Sequence, residues 1–483
     1  MVRKPGNQRA FKVGPINMAA GTGTRRPRDA ATDLRDRGSR AERIVCGYLA
    51  AIPLLWIIGL TLPAALLTVF GVFAVFVRSR RALAYAWPWF LVGCCQLTSV
   101  VINLVAEGQP LLVVVRHLLA SYVMGWFVLG AAIAIGASGL IRPAPFLRQV
   151  ARFGLYCVVL AVPLYALAVL TGEPYLHVLT PIGRLLPLSL PSTSFFFGML
   201  LFNWEELFGT SLPRLALFFP WTTALGFGGL CLMFVAANDA DHWRRRWAVA
   251  SGAFMLFASQ GRLVILTLLA CLVVRWFLER SRRTQSTLVS IGMATGFGVV
   301  IASIVWLGSP SALMDDLGRS FDEIRPSATR SRELVYEESW RGVHESPLFG
   351  HGWPGEAVYP EDWPQVMQGG GTMRPGSHST FLGLLYLGGV VTLGAFVFAL
   401  TRTILLVASA PGPVALTRNT LTLLCGIALI GIGESLFSVV VPTLFAFIWI
   451  GIALRQCEGP RETAAAGDAR QPSLGPPRMG WAS

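Results

Sequence analysis

A lone arginine in the middle of an apolar run is the first residue that asks for a chemical explanation. Arg262 ends the tetrapeptide S-Q-G-R (residues 259–262), midway along the run 247–278, whose other arginine, Arg275, stands near the far end. An ionised side chain at such a depth is costly, which marks it as functional unless it merely snorkels at a helix tip. A second guanidinium, Arg332, sits in T-R-S-R-E-L-V-Y-E-E-S-W-R (residues 329–341). Ser331 reads as the N-cap of a helix running to about Glu345, which puts Arg332 in the first turn. A cation there opposes the helix dipole, but together with the free N–H groups it suits an anion. The plainer reading is a surface arginine balanced by Glu333. At 100° per residue, Arg332, Tyr336, Trp340 and Val343 share a face, so Tyr336 and Trp340 join Arg332 as candidate substrate contacts.

His378 supplies a different chemistry. It lies just before an apolar helix starting at Ser379, where the positive end of the dipole disfavours imidazolium and leaves a ring nitrogen able to accept a proton. Arg116 and Arg214 fall near the outer ends of other apolar runs. With Arg262 and Arg332 they make up to four guanidiniums facing one outer cavity, a natural cradle for a diphosphate. His344 and His351 are seven residues apart, without the H-E-x-x-H spacing, so no metal site is expected. G-H-G-W-P-G (residues 350–355) and Gly369, Gly370 and Gly371 follow no phosphate-loop pattern and read as turn and lid material.

The elements that position these residues follow from composition. The chain has 483 residues, of which 54% are hydrophobic and only 14% charged. Repeated apolar runs near twenty residues make it an all-α polytopic membrane protein. The net charge of +14 comes from short arginine clusters between apolar runs, which fits the positive-inside pattern and not a nucleic-acid face. The eight cysteines avoid the long polar loops, which leaves no basis for a disulfide or cysteine zinc site there.

Residues 1–43 read as a disordered basic cytoplasmic tail. Residues 44–77, bounded by Arg43 and R-S-R-R (residues 78–81), read as a hairpin turning near Pro63. Residues 87–105 and 111–137 form the next pair, and 153–171 leads out to a polar and aromatic stretch, 172–214. Residues 215–237 return. Residues 247–278 form a second hairpin with S-Q-G-R at its outer tip. Residues 287–307 lead out again, 379–400 return, and 421–433 with 436–454 form a last hairpin with Glu434 near its tip. About twelve transmembrane helices result, nine of them within 44–308 and three within 379–455. Both termini are cytoplasmic, 456–483 being a second disordered tail. The long outer loop 309–378 lies between the ninth and tenth helices. It holds about eleven of the 26 acids and three of the six histidines, and it is where a site would be built. No internal repeat of the transporter kind is present, which weighs against a transporter or flippase.

Taken together, these stretches resemble the bacterial O-antigen ligase and O-antigen polymerase superfamily. R-L-A-L-F-F-P-W-T-T-A-L-G (214–226) and S-Q-G-R-L-V-I-L-T-L-L-A (259–270) are similar to its arginine-bearing helix starts. R-S-R-E-L-V-Y-E-E-S-W followed by S-P-L-F-G-H-G is similar to its Arg…Trp…P-L-x-G-x-G signature, and H-S-T-F-L-G-L-L-Y-L-G-G-V-V to its H-N-x-x-L-x-x-L-x-x-x-G. Two departures are Ser379 in place of the commoner asparagine and the Gln-Gly between Ser259 and Arg262. The first favours exopolysaccharide or capsule polymerases over lipid A ligases. The resemblance implies a metal- and cofactor-independent glycosyl transfer from an undecaprenyl-diphosphate-linked glycan at the periplasmic face of the inner membrane. One direct displacement would invert the anomeric carbon, since no paired carboxylates of the glycosidase type are evident. The acceptor would be a growing glycan or a lipid. Membrane lipids and other polysaccharide assembly proteins would be partners, and nucleic acid would not. Arg214, Arg262 and Arg332 would hold the diphosphate, and His378 would be the base.

Overall fold

A computed structural model describes residues 27–108, 110–118, 125–173, 175–185, 197–207, 210–280, 326–355, 374–436 and 440–457. Within these, the side chains of 27–37, 113, 116–118, 205–211 and 326–333 stand outside the description. In chain order the helices are α1 Pro27–Ile58, α2 Thr61–Phe76, α3 Arg80–Ala106, α4 Leu111–Leu118, α5 Val128–Ala137, α6 Pro143–Thr171 and α7 Pro181–Leu185. They continue with α8 Thr222–Ala236, α9 His242–Ser259, α10 Arg262–Arg280, α11 Pro326–Glu345, α12 Thr380–Ser409, α13 Val414–Gly433 and α14 Leu444–Cys457. Three strands, β1 Tyr175–Leu179, β2 Gly198–Leu207 and β3 Thr210–Leu215, fall between α6 and α8.

Five helical segments are long and apolar enough to cross a membrane: Gly38–Ile58, Arg80–Ala106, Pro143–Thr171, Thr380–Ser409 and Val414–Gly433. Many of their large apolar side chains point outward; Leu54, Val159 and Leu170 are all exposed. Such surface is unfavourable in water and natural against lipid tails. The fold is therefore that of a multi-pass helical membrane protein. The count of about twelve spans rests partly on residues 287–307, which lie outside the described residues, as does half of the loop 309–378.

The hairpins stand where arginine clusters on both flanks require them. The first turns at Gly59 and Leu60, slightly before Pro63, because Gly59 takes a left-handed φ of 91° and donates to the Leu55 carbonyl at 2.9 Å. Pro63 sits instead in the first turn of α2, where its missing N–H does no harm. The second turns at Gln260 and Gly261, as its S-Q-G-R tip requires. Asp241 caps the start of α9 by accepting from the N–H groups of Trp243 and Arg244 at 3.0 and 3.1 Å. α8 and α9 cross at Gly229 and Gly252, where a Cβ on either would stand 2.5 or 2.6 Å from the other's carbonyl oxygen. Small residues at such crossings let backbones approach closely.

Two features depart from the expected layout. Residues 175–215 hold an antiparallel sheet in the order β1-β2-β3, an element the hydropathy profile does not reveal. Pro213 is tolerated because β3 is an edge strand, and Phe202 and Leu215 anchor the sheet in the core. The return segment expected over 215–237 correspondingly becomes helical only at Thr222. At the opposite end of the bundle, the Asp239 carboxylate accepts from Arg244 Nε and Nη2 at 2.9 and 3.0 Å. Burial pushes that carboxyl up, but the Arg244 hydrogen bonds and charge outweigh it and hold it below the usual aspartate range.

Candidate functional site

The S-Q-G-R turn gathers the first part of the site. Gln260 adopts φ 49° and ends α9 in the left-handed region, so the chain reverses within two residues. The Ser259 hydroxyl donates to the Leu256 carbonyl at 2.7 Å and accepts from the Gly261 N–H at 3.2 Å. Arg214, at the end of β3, donates from Nε to the Ser259 carbonyl at 2.8 Å, and the Gln260 amide donates to the Pro213 carbonyl at 3.3 Å. The sheet thus delivers Arg214 to the turn that carries Arg262. Arg262 is the first residue of α10, and its Nη2 is buried without a hydrogen-bond partner among the described residues. A buried guanidinium nitrogen with no acceptor is costly, and an anionic ligand would satisfy it.

A second pair of elements meets the same end of the bundle. A Cβ on Gly433, at the end of α13, would lie 2.8 Å from Leu263, the neighbour of Arg262. One residue on, the Glu434 carbonyl accepts from the Thr380 hydroxyl at 2.6 Å, and Thr380 accepts from the Leu436 N–H at 2.8 Å. Residues 433–436 therefore clasp the start of α10 to the start of α12. Ser379 is the N-cap of α12, its hydroxyl accepting from the Leu382 N–H at 3.2 Å. That accounts for serine at this place: serine and asparagine are comparable N-caps. His378 precedes the cap with φ 61°, a conformation that histidine tolerates better than most residues but that its surroundings must hold. Tyr336 supplies the hold, donating from its hydroxyl to the His378 carbonyl at 3.1 Å.

The helix carrying Tyr336 already spans Pro326–Glu345, so Ser331 lies inside it and not at its start. Arg332 consequently lies in the second turn, and the capping role of Ser331 and the dipole argument for Arg332 do not stand. Arg332 is one turn before Tyr336 on the same face, with its side chain outside the described residues. The inward face itself is as expected: Tyr336, Trp340 and Val343 are buried and α11 packs on α12, while Glu337 and Arg341 are exposed. Trp340 also meets the His344 ring edge-on at 5.3 Å. Arg116 lies on α4, which packs against α3; its side chain is outside the described residues.

What the sequence reading missed is a break in α12. Gly389 has φ 65° and ψ −172°, so the helical ladder stops there. Residues 347–352 fill the gap. His351 and Gly352 donate to the Tyr386 and Leu387 carbonyls, both at 2.8 Å, and the Val390 N–H donates to the Pro347 carbonyl at 2.9 Å. The S-P-L-F-G-H-G segment is a plug stitched into a broken membrane helix, not a lid. Backbone groups freed inside a membrane must find such partners. Gly350 permits the approach, since a Cβ there would lie 2.5 Å from the Tyr386 oxygen. From α3, Asn103 donates to the Gly350 carbonyl at 2.9 Å and Ser99 to the Leu387 carbonyl at 2.7 Å. Ser99 and Asn103 stand one helical turn apart in an apolar run, a spacing that could have flagged them. His351 belongs to this plug: it stacks on Tyr386 at 4.7 Å, and its Nε2 is 2.8 Å from the Gly342 carbonyl. Among the described residues no three histidine, cysteine or acidic side chains converge as metal ligands would.

The resulting site is an arginine-lined end of a helical bundle with a positioned histidine. Residues 247–397 match the family model described as O-Antigen ligase, a range covering most of α9, the S-Q-G-R turn, the plug and His378. No curated protein matches the chain.

Proposed function

We propose that this chain, whose residues 247–397 match the O-Antigen ligase family model, is a polymerase of the O-antigen ligase/polymerase superfamily. In this reading it extends a polysaccharide at the periplasmic face of the inner membrane, using an undecaprenyl-diphosphate-linked glycan as donor. One observation carries the reading. Arg262, with its unpartnered buried nitrogen, and Arg214 are brought by a single turn to the end of the bundle where α12 starts behind His378. A diphosphate leaving group needs positive charge fixed where negative charge develops, and fixed guanidiniums supply it without reorganisation.

The step is one displacement. The acceptor hydroxyl oxygen bonds to the donor's anomeric carbon as the bond from that carbon to the diphosphate oxygen breaks. Undecaprenyl diphosphate departs with the electron pair, neutralised by Arg214, Arg262 and Arg332. The hydroxyl proton passes to the His378 imidazole and then to solvent. A single displacement inverts the anomeric configuration. Tyr336 holds the His378 backbone, and Trp340 lies one helical turn further along the same buried face of α11. Transfer to lipid A core or another acceptor would use the same groups, with a different acceptor in place of the growing chain.

The test is polymer formation by Arg262→Ala, Arg332→Ala and Arg262→Lys proteins that insert normally. The alanine variants should lose polymer, and lysine should restore only part, because an ammonium cannot reproduce the planar fork. Full polymer from both alanine variants would rule out the diphosphate cradle. Accumulation of unligated chains on the carrier lipid when the protein is lost would identify a ligase instead.

A further inference from the structure

The end of the bundle opposite the S-Q-G-R turn carries a cleft of about 660 Å³ between α9, α10 and α13 that glycan transfer does not use. Its lining includes Arg245, Arg246, Arg275 and Arg418, with Glu279 as the acid among them. Arg275 donates to Glu279 Oε1 at 3.0 Å and to Asn419 Oδ1 at 3.2 Å, and Arg418 donates to the Glu279 backbone carbonyl at 3.3 Å. Arg245 donates to the Asp239 backbone carbonyl at 3.3 Å. These bonds orient the guanidiniums but use few of the five N–H groups each carries. Arg246 makes no hydrogen bond or ion pair among the described residues.

Apart from Asn419, the rest of the wall is apolar. Val249, Ala250 and Ala253 follow Arg246 up the same face of α9, and their small side chains leave a slot beside the helix. Trp243 and Trp247, each 66% exposed, flank the arginines as tryptophans do at a membrane–water interface. A basic mouth continuous with an apolar slot fits a ligand with an anionic head and hydrocarbon tails. A free anion would have no use for the slot, and a zwitterionic lipid would gain little from four guanidiniums.

We propose that this cleft binds an anionic phospholipid of the adjoining leaflet, with the phosphate held by Arg245, Arg246 and Arg418 and an acyl chain lying against Val249, Ala250 and Ala253. Arginine clusters between membrane helices take such head groups through charge and hydrogen bonds together.

The experiment uses the full-length purified protein in neutral detergent, with phosphatidylglycerol, phosphatidylcholine or inorganic phosphate added. Bound lipid is read by native mass spectrometry and stability by thermal unfolding. Phosphatidylglycerol should be retained and should raise the unfolding temperature; phosphatidylcholine and phosphate should do neither. Arg246→Gln, which disturbs no described contact, should weaken phosphatidylglycerol retention several-fold, and Arg246→Gln with Arg418→Gln by at least about tenfold. Arg148→Gln, an exposed arginine outside the cleft, should leave retention unchanged. Equal retention of the two lipids, protection by phosphate alone, undiminished retention in the double variant, or an equal loss in Arg148→Gln would each overturn the assignment.

Discussion

Replacing Gly389 with alanine should detach the plug from the broken helix, and the cost can be worked from the backbone. Gly389 lies in a region of φ/ψ space that is essentially confined to glycine, where another residue incurs roughly 1–3 kcal/mol of strain. Its Cβ would also meet the backbone of Leu348, which must then move. Movement there loosens the bonds from His351, Gly352 and Val390, each worth about 0.5–1.5 kcal/mol. Strain plus one or two lost bonds comes to roughly 3 kcal/mol, a change of about a hundredfold in the population with the plug detached. Hydrogen–deuterium exchange over residues 346–352 should rise accordingly, and glycan transfer should fall with it, because the plug follows directly on the helix whose Tyr336 holds His378. Undisturbed exchange protection together with full transfer in Gly389→Ala would refute the view that the break and its plug form one unit.

Two further outcomes follow from the bundle's ends. Gly370→Cys in intact cells should react with a membrane-impermeant thiol reagent, since every arginine cluster falls on the opposite side of the predicted topology; labelling only after the inner membrane is breached would invert that topology. Asp239, whose folded pKa is lowered, contributes stability that is complete above the unfolded aspartate value and is lost as pH falls through the folded one. The difference in unfolding temperature between the native protein and Asp239→Asn should hold steady from pH 8 to about 5 and shrink only at lower pH. Shrinkage already between pH 7 and 6 would show that the Arg244 pairing is not its source.

Much of this arrangement is legible without coordinates, for physical reasons. An arginine deep in an apolar run has few explanations, so Arg262 stands out, and basic flanks on both sides force a turn at S-Q-G-R. The polar and apolar faces of residues 332–345 repeat at helical spacing, which locates the buried Tyr336 and Trp340. The break at Gly388 and Gly389 leaves no such trace. Hydropathy is continuous across it, and the groups that repair the ladder lie about forty residues earlier, in a segment whose glycines alone suggest a loop. The sheet over 175–215 is equally silent, because its alternation is short and interrupted by Pro213. Ser331 misled as a cap because a capping-type residue can equally sit inside a helix, as it does here within Pro326–Glu345.

The central claim is that His378 takes the acceptor's proton while the arginines hold the donor. The most direct measurement uses purified protein with a lipid-diphosphate oligosaccharide and scores donor binding and chain extension separately. His378→Ala should bind donor at near the native affinity and extend chains about 10²–10⁴ times more slowly. His378→Gln should be no faster, since an amide can hydrogen-bond but cannot take the proton. Extension by His378→Ala at close to the native rate would contradict the account, and loss of donor binding instead would move His378 into the diphosphate site.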